Sequence, residues 1–282
     1  MSDISLTPPT RTAKRAIALL TDFGADSFYV GAVKGAILAI DPDAVIIDVT
    51  HGVTRHAIAE GSFLLARVWD VFPAGTVFLA VVDPGVGGRR RNLIAATLNR
   101  FFVGPDNGLL TDLEDERGIE EVHAIRGTAV DRIRRHPPAG STFLGRDVFA
   151  PAAAALAGGE ALRRLARRVA SSKRVSVPRV EIAKGAVLGA VRYVDSFGNM
   201  LTGISRAHIE RALGRAALET IRVTVDNRVE IRGLRAFFAE GRRGALIALL
   251  NSWDMVELSV NGGRAIDRFA GLANVDVRVE AA

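Results

Sequence analysis

The chain has 282 residues, 49% hydrophobic and 24% charged, which is the make-up of a globular protein long enough for two domains and for a core that needs no staples. It contains no cysteine, so disulfides and thiolate metal sites are excluded and a reducing compartment fits. The net charge is +6, yet only Lys14, Lys34, Lys173 and Lys184 among the 37 basic residues are lysines, and the arginine clusters at 89–91, 132–135 and 163–168 lack interleaved aromatics that would stack bases. Nucleic acid is therefore not an expected partner. No run of about 18 uncharged apolar residues occurs, so no membrane span is expected. Residues 1–15 lack the apolar core of a signal peptide, and a cytoplasmic protein is the expectation.

Read in chain order, residues 16–20 form a short apolar strand ending in Thr21-Asp22-Phe23-Gly24. Residues 27–40 carry helical spacing, 44–49 form a second strand, 58–71 a second helix and 76–82 a third strand. This alternation predicts a parallel or mixed sheet flanked by helices. Residues 93–97 and 100–103 read as a hairpin pair, and 148–156 and 160–168 as closing helices. A polar, proline-containing stretch at 171–178 reads as a linker. Beyond it come short β segments at 186–194, 220–225, 229–231, 245–250, 256–260 and 275–279, with Asp226-Asn227 as a hairpin turn. The expected organisation is an N-terminal α/β domain over 14–172 and a small, mostly antiparallel C-terminal β-barrel over 180–281.

Acids and amides stand where apolar strands end: Asp22, Asp83 in Val82-Asp83-Pro84-Gly85, Asp106-Asn107, and Asp195 in Val194-Asp195-Ser196-Phe197-Gly198-Asn199. In open parallel sheets ligands bind beyond the carboxyl ends of the strands, so a repeated acid at that place points to a polar ligand bearing hydroxyls or an amine. One such Asp is usually a turn or a cap; several together suggest a built site. The five histidines show no ligand spacing, and no metal is expected. There is no G-x-G-x-x-G after the first strand, no Walker loop and no G-x-S-x-G, which argues against NAD, ATP and serine-triad chemistry.

Five segments occur in order: Leu20-Thr21-Asp22-Phe23-Gly24 with Tyr29-Val30-Gly31 and Lys34-Gly35; Val82 to Gly87; Val103 to Leu110; Gly145-Arg146-Asp147 with Ala150-Pro151-Ala152-Ala153; and Asp195 to Asn199. Together they resemble the S-adenosyl-L-methionine (SAM) hydroxide adenosyltransferases, the adenosine-forming SAM hydrolases related to the SAM-dependent fluorinase and chlorinase. The resemblance covers residues 16–280. It implies hydrolysis of SAM to adenosine and methionine by hydroxide attack at the ribose 5′ carbon. It also implies a homotrimer with SAM, the substrate, between neighbouring subunits, and no cofactor.

By motif position, the resemblance makes Asp83 and Arg90 catalytic, with Arg89 and Arg91 as surface residues. It puts Asp22 on the ribose hydroxyls, Asp195 on the methionine ammonium, and Phe197 and Asn199 near the adenine. Ser252 would meet the methionine carboxylate, and the backbone around Asn261-Gly262 the adenine edge. Lys34 and Asp106 lie in the motifs but read as structural. Two departures stand out. The family pattern Thr-Phe-His-Gly-Arg-Asp is Thr142-Phe143-Leu144-Gly145-Arg146-Asp147 here, so Leu144 replaces a histidine, with His136 the nearest one upstream. Trp253 stands where a small or basic residue is expected. Leu144 leaves open an alternative, a SAM- or adenosine-binding protein with weak or no turnover. A halide-using enzyme would carry Tyr at position 83.

Overall fold

The computed structural model describes residues 15–98, 100–116, 118–215, 218, 220–269 and 274–282. They fall into two compact units, one ending at Val175 and the other beginning at Ser176.

The first unit is built on a seven-stranded sheet. Four strands, β1 (Ala16–Thr21), β2 (Val45–Thr50), β3 (Val77–Val81) and β5 (Arg100–Pro105), lie parallel in the order β2-β1-β3-β5. Then β4 (Asn92–Thr97), β6 (Glu121–Ile125) and β7 (Ala166–Val169) follow, each antiparallel to its neighbour. Side chains alternate across a strand. Ile17 and Leu19 accordingly join one apolar cluster with Val33, Ile37, Ala152 and Ala153 from helices α1 (Phe28–Leu38) and α5 (Ala150–Ala157). Ala18 and Leu20 join the other, with Leu65 of α2 (Ile58–Val68) and Leu113 of α3 (Thr111–Glu116). A sheet buried on both faces explains why β3 reads as an unbroken apolar run.

Two short helices, α4 (Gly127–Ile133) and α6 (Leu162–Leu165), complete this unit. The helix expected over 160–168 is a correction: α6 is a single turn, and Ala166–Val169 leaves it to pair with β6 as an edge strand. Pairing with β6 satisfies backbone groups that no helix continues to cover, so tertiary context overrides the arginine-rich helical propensity.

The second unit is an antiparallel sheet of β8 (Glu181–Ala183), β9 (Ala186–Val194), β10 (Met200–Ser205), β11 (Ile221–Val225), β12 (Val229–Arg232), β13 (Leu246–Leu250), β14 (Met255–Val260) and β15 (Asp276–Ala281). The order is β12-β11-β15-β9-β10-β14-β13, with β8 added on β9. A bridge between Arg235 and Leu249 brings the β12 end to β13, so the sheet nearly closes into a barrel. Ile221, Val223 and Val225 alternate inward onto Met200, Leu258 and Ile209 of helix α7 (Arg206–Leu213). Asp226 and Asn227 both have positive φ (50° and 52°), as a two-residue hairpin turn requires. Among the described residues no helix is long and apolar enough to cross a membrane.

One glycine sets how closely two site-bearing strands approach. A Cβ on Gly104 in β5 would stand 2.3 Å from the Ala80 carbonyl oxygen of β3. Gly104→Ala is therefore expected to force these strands apart, costing about 1–3 kcal/mol. Urea unfolding should show a lower midpoint with an unchanged slope; an unmoved midpoint would refute the close approach.

Candidate active site

The chain leaves β1 through α1 on one face of the sheet to reach β2, then returns through α2 on the other face to β3. The strand order therefore reverses at the β1–β3 pair, and a crevice opens beyond their carboxyl ends. Asp22 directly follows β1, and Asp83 follows β3 after Val82. Both line a cavity of about 370 Å³ there, with Tyr29, Arg55, His56 and Leu144.

Asp83 is the buried charge of this cavity, its side chain only 5% exposed. Arg90 answers it with two parallel N–H donors: Nε donates to Oδ1 at 2.7 Å and Nη2 to Oδ2. Nη1 of Arg90 donates to the Arg91 carbonyl at 3.0 Å and also to the Asn92 side chain, so four of the five guanidinium N–H groups are used. The guanidinium also sits 5.5 Å from the centre of the Phe149 ring. Such a forked pair fixes a carboxylate in orientation as well as charge. Asn107 donates its amide to the Val82 carbonyl at 2.8 Å, tying the loop after β5 to the end of β3.

Asp22 is held differently. Its Oδ2 accepts the peptide N–H of His56 at 2.9 Å, and His56 has a left-handed φ of 66°. The loop after β2 is thereby pulled over the cavity, with the Arg55 and His56 side chains in its lining. Beneath it, Lys34 Nζ lies 2.6 Å from Asp48 Oδ2, His51 Nε2 3.0 Å from Asp48 Oδ1, and His51 Nδ1 2.8 Å from the Thr21 hydroxyl. Burial would raise the Asp48 carboxyl, but hydrogen bonds and charge from Lys34 and His51 outweigh it and hold the group below its ordinary range. The opposite wall is aromatic. Tyr29 meets Phe143 edge-on at 4.7 Å, and Phe23 meets Phe143 at 6.0 Å. A Cβ on Gly145 would stand 3.2 Å from the Phe143 ring, so only glycine admits this packing without movement.

The second unit carries its own cavity, of about 740 Å³, at the ends of β9 and β13 and the end of β14. Asp195, Phe197, Asn199, Ser252, Asn261 and Gly262 all line it. Asp195 Oδ1 accepts the backbone N–H groups of Phe197 and Asn199, and Oδ2 accepts the Asn199 amide, each at 2.9 Å. This staple leaves the Phe197 ring 75% exposed. Asn251 Oδ1 accepts from Trp253 N at 3.0 Å and Met255 N at 3.1 Å, shaping the turn that carries Ser252. Asn261 spends its amide on the Gly241 carbonyl at 2.7 Å.

The residues singled out from sequence thus divide between two cavities, one in each unit. Asp22 and Asp83 share the first, with Arg90 behind Asp83; the other six share the second. Lys34 is engaged with Asp48. Asp106 is 1% exposed, and it takes Arg91 Nε at 2.6 Å and Lys173 N at 2.6 Å. Arg91, expected as an idle surface residue, is therefore a partner of a buried acid. His136 lines a different cavity, with Arg146 and Asp147, and does not stand in for the missing histidine. Tyr29, Arg55 and His56 were not anticipated. The signal available for Tyr29 is its place at the start of α1; Arg55 and His56 lie well past the end of β2 at Thr50 and carry no such signal. Among the described residues no group of three or more His, Asp or Glu side chains is placed to hold a metal.

Residues 17–166 match the SAM hydroxide adenosyltransferase N-terminal domain, and residues 189–277 its C-terminal domain. The chain is 35% identical over 267 residues to an (R)-S-adenosyl-L-methionine hydrolase of Salinispora arenicola, covering 94% of this chain and 97% of that one. A protein of the same name from Methanocaldococcus jannaschii is 31% identical, with 92% of each chain covered. A fluorinase of Nocardia brasiliensis is 27% identical over 96% of this chain and 98% of its own. A crystal structure of an uncharacterised conserved protein from Thermotoga maritima superposes with a TM-score of 0.85 at 33% identity, covering 93% of this chain and 99% of that chain. The strand-end acids, the two-unit architecture and these full-length matches lead to one conclusion: the chain belongs to the SAM hydroxide adenosyltransferase family.

Proposed function

We propose that this protein is an enzyme that hydrolyses SAM to adenosine and L-methionine. The observation that carries this reading is Asp83, a buried carboxylate clamped by Arg90 at the lip of a cavity it shares with Asp22. The relatives named hydrolases, 31% and 35% identical over nearly the whole chain, support turnover rather than binding alone.

In the proposed reaction water forms a bond to the ribose 5′ carbon while the bond from that carbon to sulfur breaks. The bonding pair goes to sulfur, so methionine departs as a neutral thioether and needs no proton. One proton leaves the water, and the substrate's positive charge is discharged. The difficulty is to hold a poorly solvated nucleophile in line with the leaving group. Asp83 orients the water and takes its proton. Arg90 acts through Asp83, fixing its orientation, and its remaining N–H lies on the Nη2 that already holds Asp83. Asp22 accepts the ribose hydroxyls. Leu144 adds no titratable group to this wall.

The same proposal assigns the second cavity to the rest of the substrate: Ser252 for the methionine carboxylate, Phe197, Asn199 and the Asn261-Gly262 backbone for the adenine, Asp195 for the ammonium. Homotrimeric assembly would let a cavity of one subunit meet the complementary cavity of its neighbour over one SAM. No cofactor enters this scheme, and a chain without cysteine suits the reducing cytoplasm.

Purified protein incubated with SAM should release adenosine and methionine in equal amounts, followed by liquid chromatography; recovery of intact SAM would sink the proposal. Asp83→Asn should abolish that release while SAM affinity stays within about tenfold, roughly 1.4 kcal/mol. Lost affinity with turnover per bound substrate retained would reassign Asp83 to binding. Leu144→His should quicken turnover by less than the roughly hundredfold that marks full general-base help. A slower Leu144→His enzyme would mean that this chain's proton path has no place for a histidine there.

A further inference from the structure

Three buried carboxylates in this chain are each paired with an arginine. Asp83 has Arg90, Asp106 has Arg91 at 2.6 Å, and Asp147 has Arg146 at 2.7 Å. Glu257 in β14 breaks the pattern. It is 5% exposed and, among the described residues, accepts only from Asn251 Nδ2 at 3.2 Å and Ser259 Oγ at 3.0 Å, both neutral. Its cross-strand neighbours are Leu201 on β10 and Leu249 on β13. Among the described residues no lysine, arginine or histidine lines the cavity it faces, and the other charged group there is Asp195, also an acid. In the adjoining turn Asp254 is taken by Arg206 at 2.7 Å. Arg243 packs its side chain near Gly262 but is not part of the cavity lining.

Burial pushes the Glu257 carboxyl above its ordinary range; the bonds from Asn251 and Ser259 pull it back, and Asp195 pushes it up again. A buried anion with no counter-charge is unfavourable, so a fold that keeps one in a cavity wall has a reason outside its own stability. Exposed aromatic rings, Phe197, Phe237, Phe238 and Trp253, border the same space and also attract cations through their faces. Asp195 cannot fill the need alone, because three of its acceptor positions are spent within its own loop.

We propose that Glu257, with Asp195, forms a two-carboxylate seat for an organic ammonium group, which on the hydrolase reading above is the α-amine of the methionine part of SAM. Glu257 is then the group that selects amine-bearing substrates, and its charge is completed only when substrate arrives.

The test compares S-adenosyl-L-homocysteine with its analogue lacking the amino group; neither carries the sulfonium, so neither is hydrolysed. By calorimetry the wild type should prefer the amine-bearing ligand by about tenfold or more. Glu257→Gln should bring that preference close to one while binding the deaminated analogue as before. The variant should also melt higher than the wild type near neutral pH, because an uncompensated anion is gone. An undiminished preference, an equal loss for both ligands or a lower melting temperature would overturn the proposal. If the variant does not fold, the wild type alone decides. Its preference should fall as the pH is lowered and the raised carboxyl takes a proton, and a constant preference refutes the seat. SAM turnover followed in the same wild-type samples separates the two ideas. No adenosine sinks the hydrolase reading, whereas adenosine formation without amine preference sinks only the seat.

Discussion

Parallel pairing of β1 with β3 is the constraint from which the first unit follows. Parallel neighbours cannot be joined by a tight turn, so each connection must cross a face of the sheet as a helix. With α1 on one face and α2 on the other, β1 and β3 end side by side at a gap that neither helix fills. Any polar residue placed just after those strands projects into that gap. Asp22 and Asp83 are such residues, and the apolar runs that carry them are the same runs that hold the core together.

That economy has an electrostatic cost. A carboxylate at the end of a fully buried strand loses most of its water, and the fold answers with Arg90, itself positioned by Asn92, the Arg91 carbonyl and the Phe149 ring. On the proposed reaction, compensation from within suits a group that must be aimed before a neutral nucleophile arrives. On the proposed reading, Glu257 represents the opposite solution, a charge left open for something brought from outside. Both carboxylates are withdrawn from solvent, and what separates them is whether an arginine was built in.

Much of this was legible in the sequence because it depends on period and punctuation. Ile17 to Thr21 and Val77 to Val82 are apolar and end abruptly, so both strands and both acids could be read directly. The hairpin at Asp226-Asn227 could be read for the same reason. What could not be read depends on contacts distant in the chain. Residues 166–169 look helical from composition and become a strand only because β6 offers an edge. Met200–Ser205 follows a loop dominated by Asp195 and Asn199, and its identity as β10 is settled by pairing with β9 and β14. Arg55 and His56 reach the cavity through one hydrogen bond to Asp22, 34 positions away from His56, which no local pattern announces. The missing counter-charge of Glu257 is likewise a property of its surroundings.

The edge strand β7 bears on how copies of this protein can meet. An exposed strand edge offers unpaired backbone groups to any other strand, including the same edge of a second molecule. Here that edge carries Arg167 and Arg168 in solvent, directly after Arg163 and Arg164 of α6. Two such edges brought together would set four arginines of one molecule against four of the other. Like-charge repulsion therefore opposes growth of the seven-stranded sheet at this side.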